Sequence, residues 1–175
     1  DTVMWYYYLN EPKIKERLVN GEPVGVLCYG KVYRKDEIDC RHMNVFHQMG
    51  GLYLVTDLQQ TLGLDDLKKV LTDITQNLFG PKNNLRFNPD TFPYTDPSLE
   101  VEVEKSGQWI EILGGGIPKK EVLANFGVSG YHGCHSDSYR AVPVGRHQTK
   151  PHVYQCLHDR LRLPDAPKRR EHYWL

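Results

Sequence analysis

The chain has 175 residues, 39% of them hydrophobic and 25% charged, a globular rather than a disordered composition. The length suits one domain with a real core. Lys plus Arg and Asp plus Glu number 22 each, so no net field recommends nucleic acid or a membrane surface as partner.

The N-terminal residues run through Met4-Trp5-Tyr6-Tyr7-Tyr8-Leu9, and Lys13 to Leu18 reads as a short helix. Asn20-Gly21-Glu22-Pro23 is a turn. Val24 to Arg34 reads as a strand, buried at its start. Residues 35–44 are charged and polar and read as an exposed loop, and a second strand returns through Met49 to Val55. Strand, long charged loop and strand make an antiparallel hairpin with a functional-looking loop. Leu64, Leu67, Val70, Leu71, Ile74 and Leu78 repeat at helical spacing, and Gly80-Pro81 stops that helix. In 98–104, Leu99, Val101 and Val103 alternate with Glu100, Glu102 and Glu104, the period of a half-buried strand. Glu102 and Glu104 read as solvated. Gln108 to Leu113 answers it across Lys105-Ser106-Gly107 as a second hairpin. Gly114-Gly115-Gly116 is expected to end that strand, and Lys119 to Asn125 reads as a short helix ended by Gly127. Hairpins with helices set against them predict an α+β fold on an antiparallel sheet flanked by helices.

Beyond about residue 131 the composition changes, so the domain boundary is expected at 130, with 131–175 as an atypical tail. Six of the eight histidines lie there: His132, His135, His147, His152, His158 and His172. Two readings of the tail stay open. Cys134 and His135 with Cys156 and His158 offer soft metal ligands such as zinc prefers, though their spacing matches no strong zinc pattern. Alternatively the tail is an out-of-frame translation, poorly ordered: one base out of frame from Tyr139-Arg140-Ala141, the codon table permits Ile-Glu-Arg. The four cysteines form no dense disulfide framework, and Cys28 in an apolar run reads as a buried thiol. A reducing, cytoplasmic setting follows. No apolar run approaches a membrane span, and no signal peptide is visible. Asp1 is not Met, so the chain is expected to begin inside a longer protein.

Arg34 ends a strand at the mouth of the charged loop, and Phe46 opens the returning strand. A fixed guanidinium suits bidentate grip on a phosphate, and a ring beside it can stack on a purine. On residues alone this fits either a nucleotide on a sheet surface or an ordinary hairpin with a solvated loop.

Gly30-Lys-Val-Tyr-Arg-Lys-Asp36, His42 and Phe46-His47-Gln48 together resemble motif 2 of class II aminoacyl-tRNA synthetases, in the phenylalanyl-tRNA synthetase form. Phe92-Pro-Tyr-Thr-Asp-Pro-Ser-Leu-Glu-Val101 is similar to the family's Phe-Pro-Phe-Thr-Glu-Pro-Ser-x-Glu-Val. Trp109-Ile-Glu-Ile-Leu-Gly-Gly-Gly116 is similar to its Trp-x-Glu-x-Leu-Gly-Cys-Gly. The blocks fall in family order across about residues 24–127. The resemblance implies a partial class II catalytic core. It implies that Arg34 holds the ATP α-phosphate, His42 reaches the outer phosphates and Phe46 stacks on adenine. Gln48 would hold the substrate amino group, and Phe92 and Tyr94 would line a phenylalanine pocket floored by Gly114 and Gly116. Glu100 would serve Mg²⁺, a hard cation suited to carboxylate oxygen. The implied activity is ATP-dependent activation of phenylalanine and transfer to tRNA(Phe), with a second subunit or a homodimer and no membrane. The rival is a non-catalytic paralogue that binds an amino acid or a protein partner. The sequence departs from the family at Gly50, where Phe-His-Gln-x-Glu-Gly has Glu, and at Gly115, where it has Cys. Neither motif 1 nor the Gly-x-Gly-x-Glu-Arg of motif 3 is visible.

Overall fold

The computed structural model describes residues 2–35, 44–58 and 62–138. Two short helices, α1 (Thr2–Leu9) and α2 (Pro12–Val19), lead into strands β1 (Val24–Tyr33) and β2 (Val45–Thr56). Helix α3 (Leu64–Phe79) follows, then β3 (Leu85–Phe92), β4 (Thr95–Lys105), β5 (Gln108–Pro118), helix α4 (Lys120–Asn125) and β6 (Tyr131–Ser138). The sheet order is β1-β2-β6-β5-β4-β3, and every neighbouring pair is antiparallel.

Local chemistry explains most of these elements. β4 and β5 are joined by Ser106-Gly107, at φ 54° and 74°. Positive φ at both central residues is the two-residue turn that matches strand twist. In α3, Asp66 Oδ2 accepts the Gly63 N–H at 3.1 Å, and Asp65 and Asp66 put negative charge in the first turn. Leu67, Leu71 and Ile74 are buried against Leu99, Val101, Val103, Ile112 and Leu113. The expected stripe holds except at its end. Leu78 is 50% exposed, and Phe79 packs against the core in its place. This core covers one face of the sheet.

A second core lies on the other face. It joins Trp5 and Leu9 of α1 to Val24, Leu52, Leu54 and Tyr131 of the sheet, with Leu123 and Val128 closing it from the α4 side.

Three expectations need correction. The boundary expected at 130 falls in front of a sheet strand, since β6 bonds to β2 on one side and β5 on the other. Its composition hid a period-two pattern, in which Tyr131, Gly133, His135 and Asp137 are the buried members. The glycine triplet does not end β5 but lies inside it, where neighbouring chains approach closely. A Cβ on Gly115 would meet the His135 carbonyl oxygen at 2.6 Å, and one on Gly116 the Pro97 carbonyl oxygen at 2.6 Å. Glu102 and Glu104 are paired rather than solvated. Arg86 Nε donates to Glu102 Oε2 at 2.6 Å, and Asn84 Nδ2 to Glu104 Oε2 at 2.7 Å.

Candidate functional site

Register fixes what shares a face, because opposed residues point the same way and successive residues alternate. One row runs straight across the sheet: Cys28, Gly50, Asp137, Gly114, Glu100, Asn88. The next row on that face is Val26, Leu52, His135, Gly116, Ser98, Asp90. The second row begins in the core under α1. The first row is polar or lacks side chains, with Gly50, Asp137 and Gly114 buried and Cys28, Glu100 and Asn88 half-buried.

At one end of this face the β1–β2 hairpin narrows to a neck, where the Arg34 N–H donates to the Asn44 carbonyl at 2.9 Å. Arg34 is exposed, and its guanidinium carbon stands 5.4 Å from the centroid of the Phe46 ring. Cation and ring are therefore neighbours in space as well as in motif. Gln48 lies two residues on, opposite Gly30 and on the same face. His42 belongs to the segment 36–43, outside the described residues.

At the other end the β3–β4 turn brings Phe92 and Tyr94 into a stack, centroids 6.3 Å apart and planes at 17°. Tyr94 also meets Trp5 edge-on at 5.6 Å and His135 at 5.5 Å. Burial pushes the Tyr94 hydroxyl above its ordinary value; the charge of Asp137 adds to this and that of Arg34 opposes it. Burial likewise raises the Cys28 thiol, with Asp137 again adding. Gly114 and Gly116 lie buried between the two ends.

Glu100 is half-buried, and its Oε1 accepts from Asn88 Nδ2 at 2.9 Å. Among the described residues no three His, Cys, Asp or Glu side chains gather as a metal cage. Mg²⁺ ordinarily takes one or two carboxylates plus phosphate oxygens and waters, so a single carboxylate beside a nucleotide fits it. Cys134 and His135 project to opposite faces of β6 as successive strand residues, and Cys156 and His158 lie outside the described residues.

At this face Asp137 carried no signal in the sequence, and His135 stood out only as a soft metal ligand beside Cys134. Asp137 is 4% exposed and His135 2% exposed. His135 Nδ1 donates to the Gly51 carbonyl at 2.9 Å, and its Nε2 lies 2.9 Å from Asp137 Oδ2. No helix among the described residues is long and apolar enough to cross a membrane.

Known proteins resemble this chain in sequence. Residues 5–135 match the family model described as tRNA synthetases class II core domain (F). The phenylalanine–tRNA ligase alpha subunit of Chlorobium chlorochromatii is 39% identical over 129 residues, covering 66% of this chain and 36% of the relative. The alpha subunit from Exiguobacterium sp. is 38% identical over 116 residues, covering 59% and 33%. That of Sodalis glossinidius is 42% identical over 107 residues, covering 61% and 31%. The chain thus spans about a third of the length of these curated relatives. With an antiparallel sheet flanked by helices and a family match over residues 5–135 of 175, the chain belongs to the class II core domain family of tRNA synthetases, in its (F) form.

Proposed function

We propose that the chain is the core of a phenylalanine–tRNA ligase, activating phenylalanine with ATP for transfer to tRNA(Phe) in protein biosynthesis. The reading rests chiefly on the two ends of the site face. A cation–ring pair at Arg34 and Phe46 suits a nucleotide. A ring stack at Phe92 and Tyr94 suits an aromatic amino acid. A strip carrying Gly50, Gly114 and Gly116 joins them. The relatives' printed name favours catalysis over a non-catalytic paralogue. That name also suggests a partner subunit, which would carry tRNA-binding parts.

In the activation step a carboxylate oxygen of phenylalanine attacks the α-phosphorus of ATP. The bond from that phosphorus to its bridging oxygen breaks, and pyrophosphate leaves with the electron pair. The attacking carboxylate is already ionised, so this step needs no general base. The protein's work is positioning and the spreading of phosphate charge. Arg34 holds the α-phosphate through its planar fork, and Phe46 stacks on adenine. His42 reaches the outer phosphates. Gln48 accepts from the substrate amino group, and the Phe92 and Tyr94 ring edges take the benzyl side chain. Gly114 and Gly116 leave room for the substrate over β5. Mg²⁺, held in part by Glu100, would neutralise phosphate charge when bound. A cytoplasmic location accords with this role.

ATP–pyrophosphate exchange tests the proposal. The chain should exchange label only when phenylalanine is present. Arg34→Ala should lower the rate by about 10²–10³-fold, the usual cost of removing a donor to developing charge. Absence of phenylalanine-dependent exchange, or exchange indifferent to Arg34→Ala, overturns it.

A further inference from the structure

Asp137 is the least satisfied polar group at the site face. Its carboxylate is buried, and Oδ2 is held by His135. Oδ1 has no hydrogen-bond partner, the only such buried side-chain atom among the described residues. An unmet buried carboxylate oxygen is costly, and a bound cation is one of the few physical reasons for a fold to keep one. The surroundings say what kind. Gly50 flanks Asp137 on β2 and Gly114 flanks it on β5, so the neighbouring strands offer no side-chain donor in its row. Oδ1 stands 2.2 Å from the point where a Cβ on Gly50 would be. The carboxylate therefore occupies the place that a side chain on Gly50 would fill. His135 beside it packs in turn against the Trp5 and Tyr94 rings, and among the described residues no lysine or arginine is bonded to Oδ1.

A carboxylate oxygen lacking a donor, bordered by glycines and rings, complements a small cation that carries several N–H groups. Family members have Glu where this chain has Gly50. We propose that Asp137, reaching from β6 into the space above Gly50, is the carboxylate that holds the substrate's α-ammonium group. The acid has moved from one strand to the next while its charge stays at the same point of the face. Gln48 then contributes a neutral acceptor and Asp137 the charged one. This assignment rests on the amino-acid-binding part of the function proposed above.

The test compares L-phenylalanine with 3-phenylpropanoate, which keeps the ring and carboxylate and lacks the ammonium, by calorimetric titration of the chain. Wild type should prefer phenylalanine. Asp137→Asn keeps the shape and should cut that preference by about tenfold to a hundredfold, the loss of one charge-assisted hydrogen bond, with 3-phenylpropanoate little affected. The exchange variant Gly50→Glu/Asp137→Gly returns the acid to β2 and should regain the preference, and it answers the question if Asp137→Asn fails to fold. Unchanged preference in folded Asp137→Asn, or none in folded Gly50→Glu/Asp137→Gly, overturns the assignment alone. Wild type that binds neither compound overturns the amino-acid-binding reading and this assignment with it.

Discussion

Gly50 sits mid-sheet, paired to Cys28 on one side and Asp137 on the other, so its backbone has little freedom to yield. A Cβ there would stand 2.2 Å from Asp137 Oδ1, 3.4 Å from Asp137 Cγ and 3.3 Å from Cys28 Sγ. Gly50→Ala must therefore displace the Asp137 carboxylate. Pushing that side chain off its rotamer costs about 0.5–1.5 kcal/mol. Weakening its 2.9 Å contact with His135 threatens a bond to a charged group, worth about 1.5–3 kcal/mol. Gly50→Ala should then lose about 2–4 kcal/mol. Urea unfolding followed by circular dichroism reads this directly. With a slope of about 1–3 kcal/mol per molar urea, the midpoint should fall by on the order of 1–2 M. Asp137→Gly removes the obstacle, so in that background the same alanine should cost no more than about 0.5 kcal/mol, leaving a large coupling energy in the cycle. A Gly50→Ala chain as stable as wild type, or an equal cost in both backgrounds, would refute the steric argument.

Gly133→Ala should be harsher, because its Cβ would meet the Tyr53 carbonyl oxygen at 1.7 Å and Leu54 Cα at 2.9 Å, atoms of backbone that no rotamer change moves. We expect the cooperative thermal transition to disappear, and a retained sharp transition would count against the β2–β6 register. The acid side of the stability profile should depend on Asp66. The Gly63 N–H, and then Lys69, hold its carboxyl below the ordinary 3.8. A group whose folded value is depressed stabilises above its unfolded value, and that contribution is lost as pH falls through the folded one. The melting temperature should therefore drop on acidification below about pH 4, and the drop should be shallower in Asp66→Asn.

What the sequence revealed was local. The alternation of Leu99, Val101 and Val103 with three glutamates, the Ser106-Gly107 turn and the α3 stripe are each decided within a few residues. β3 was illegible because Asn88, Pro89 and Asp90 are turn formers, and only its edge position lets Pro89 lack an N–H without breaking a ladder. α1 was illegible because Met4-Trp5-Tyr6-Tyr7-Tyr8 is apolar on every side, with no period to read. The glycine triplet looked like a terminator because the chains that crowd it, β6 at Gly115 and β4 at Gly116, lie elsewhere in the sequence. The motifs pointed to Arg34, His42, Phe46, Gln48, Glu100, Phe92, Tyr94, Gly114 and Gly116 as candidates. They could not find Asp137, whose importance comes from a side chain missing at position 50 on another strand.

The two ends of the candidate site belong to different parts of the chain. Arg34 and Phe46 ride on the β1–β2 hairpin, and Phe92 and Tyr94 on the β3–β4–β5 meander. Among the described residues no strand of one unit ladders with a strand of the other, since β6 lies between β2 and β5 and ladders to both. The separation of the cation–ring pair from the ring stack is therefore set by β6, whose composition marks it least as a strand. His135 ties that strand to the β2 backbone at Gly51 and to the Tyr94 and Trp5 rings. Asp137, one step farther on the same face, sits at the seam where the two units meet. A candidate site divided between two hairpin systems depends for its geometry on the strand that joins them. The family match, ending at residue 135, already reaches into that strand.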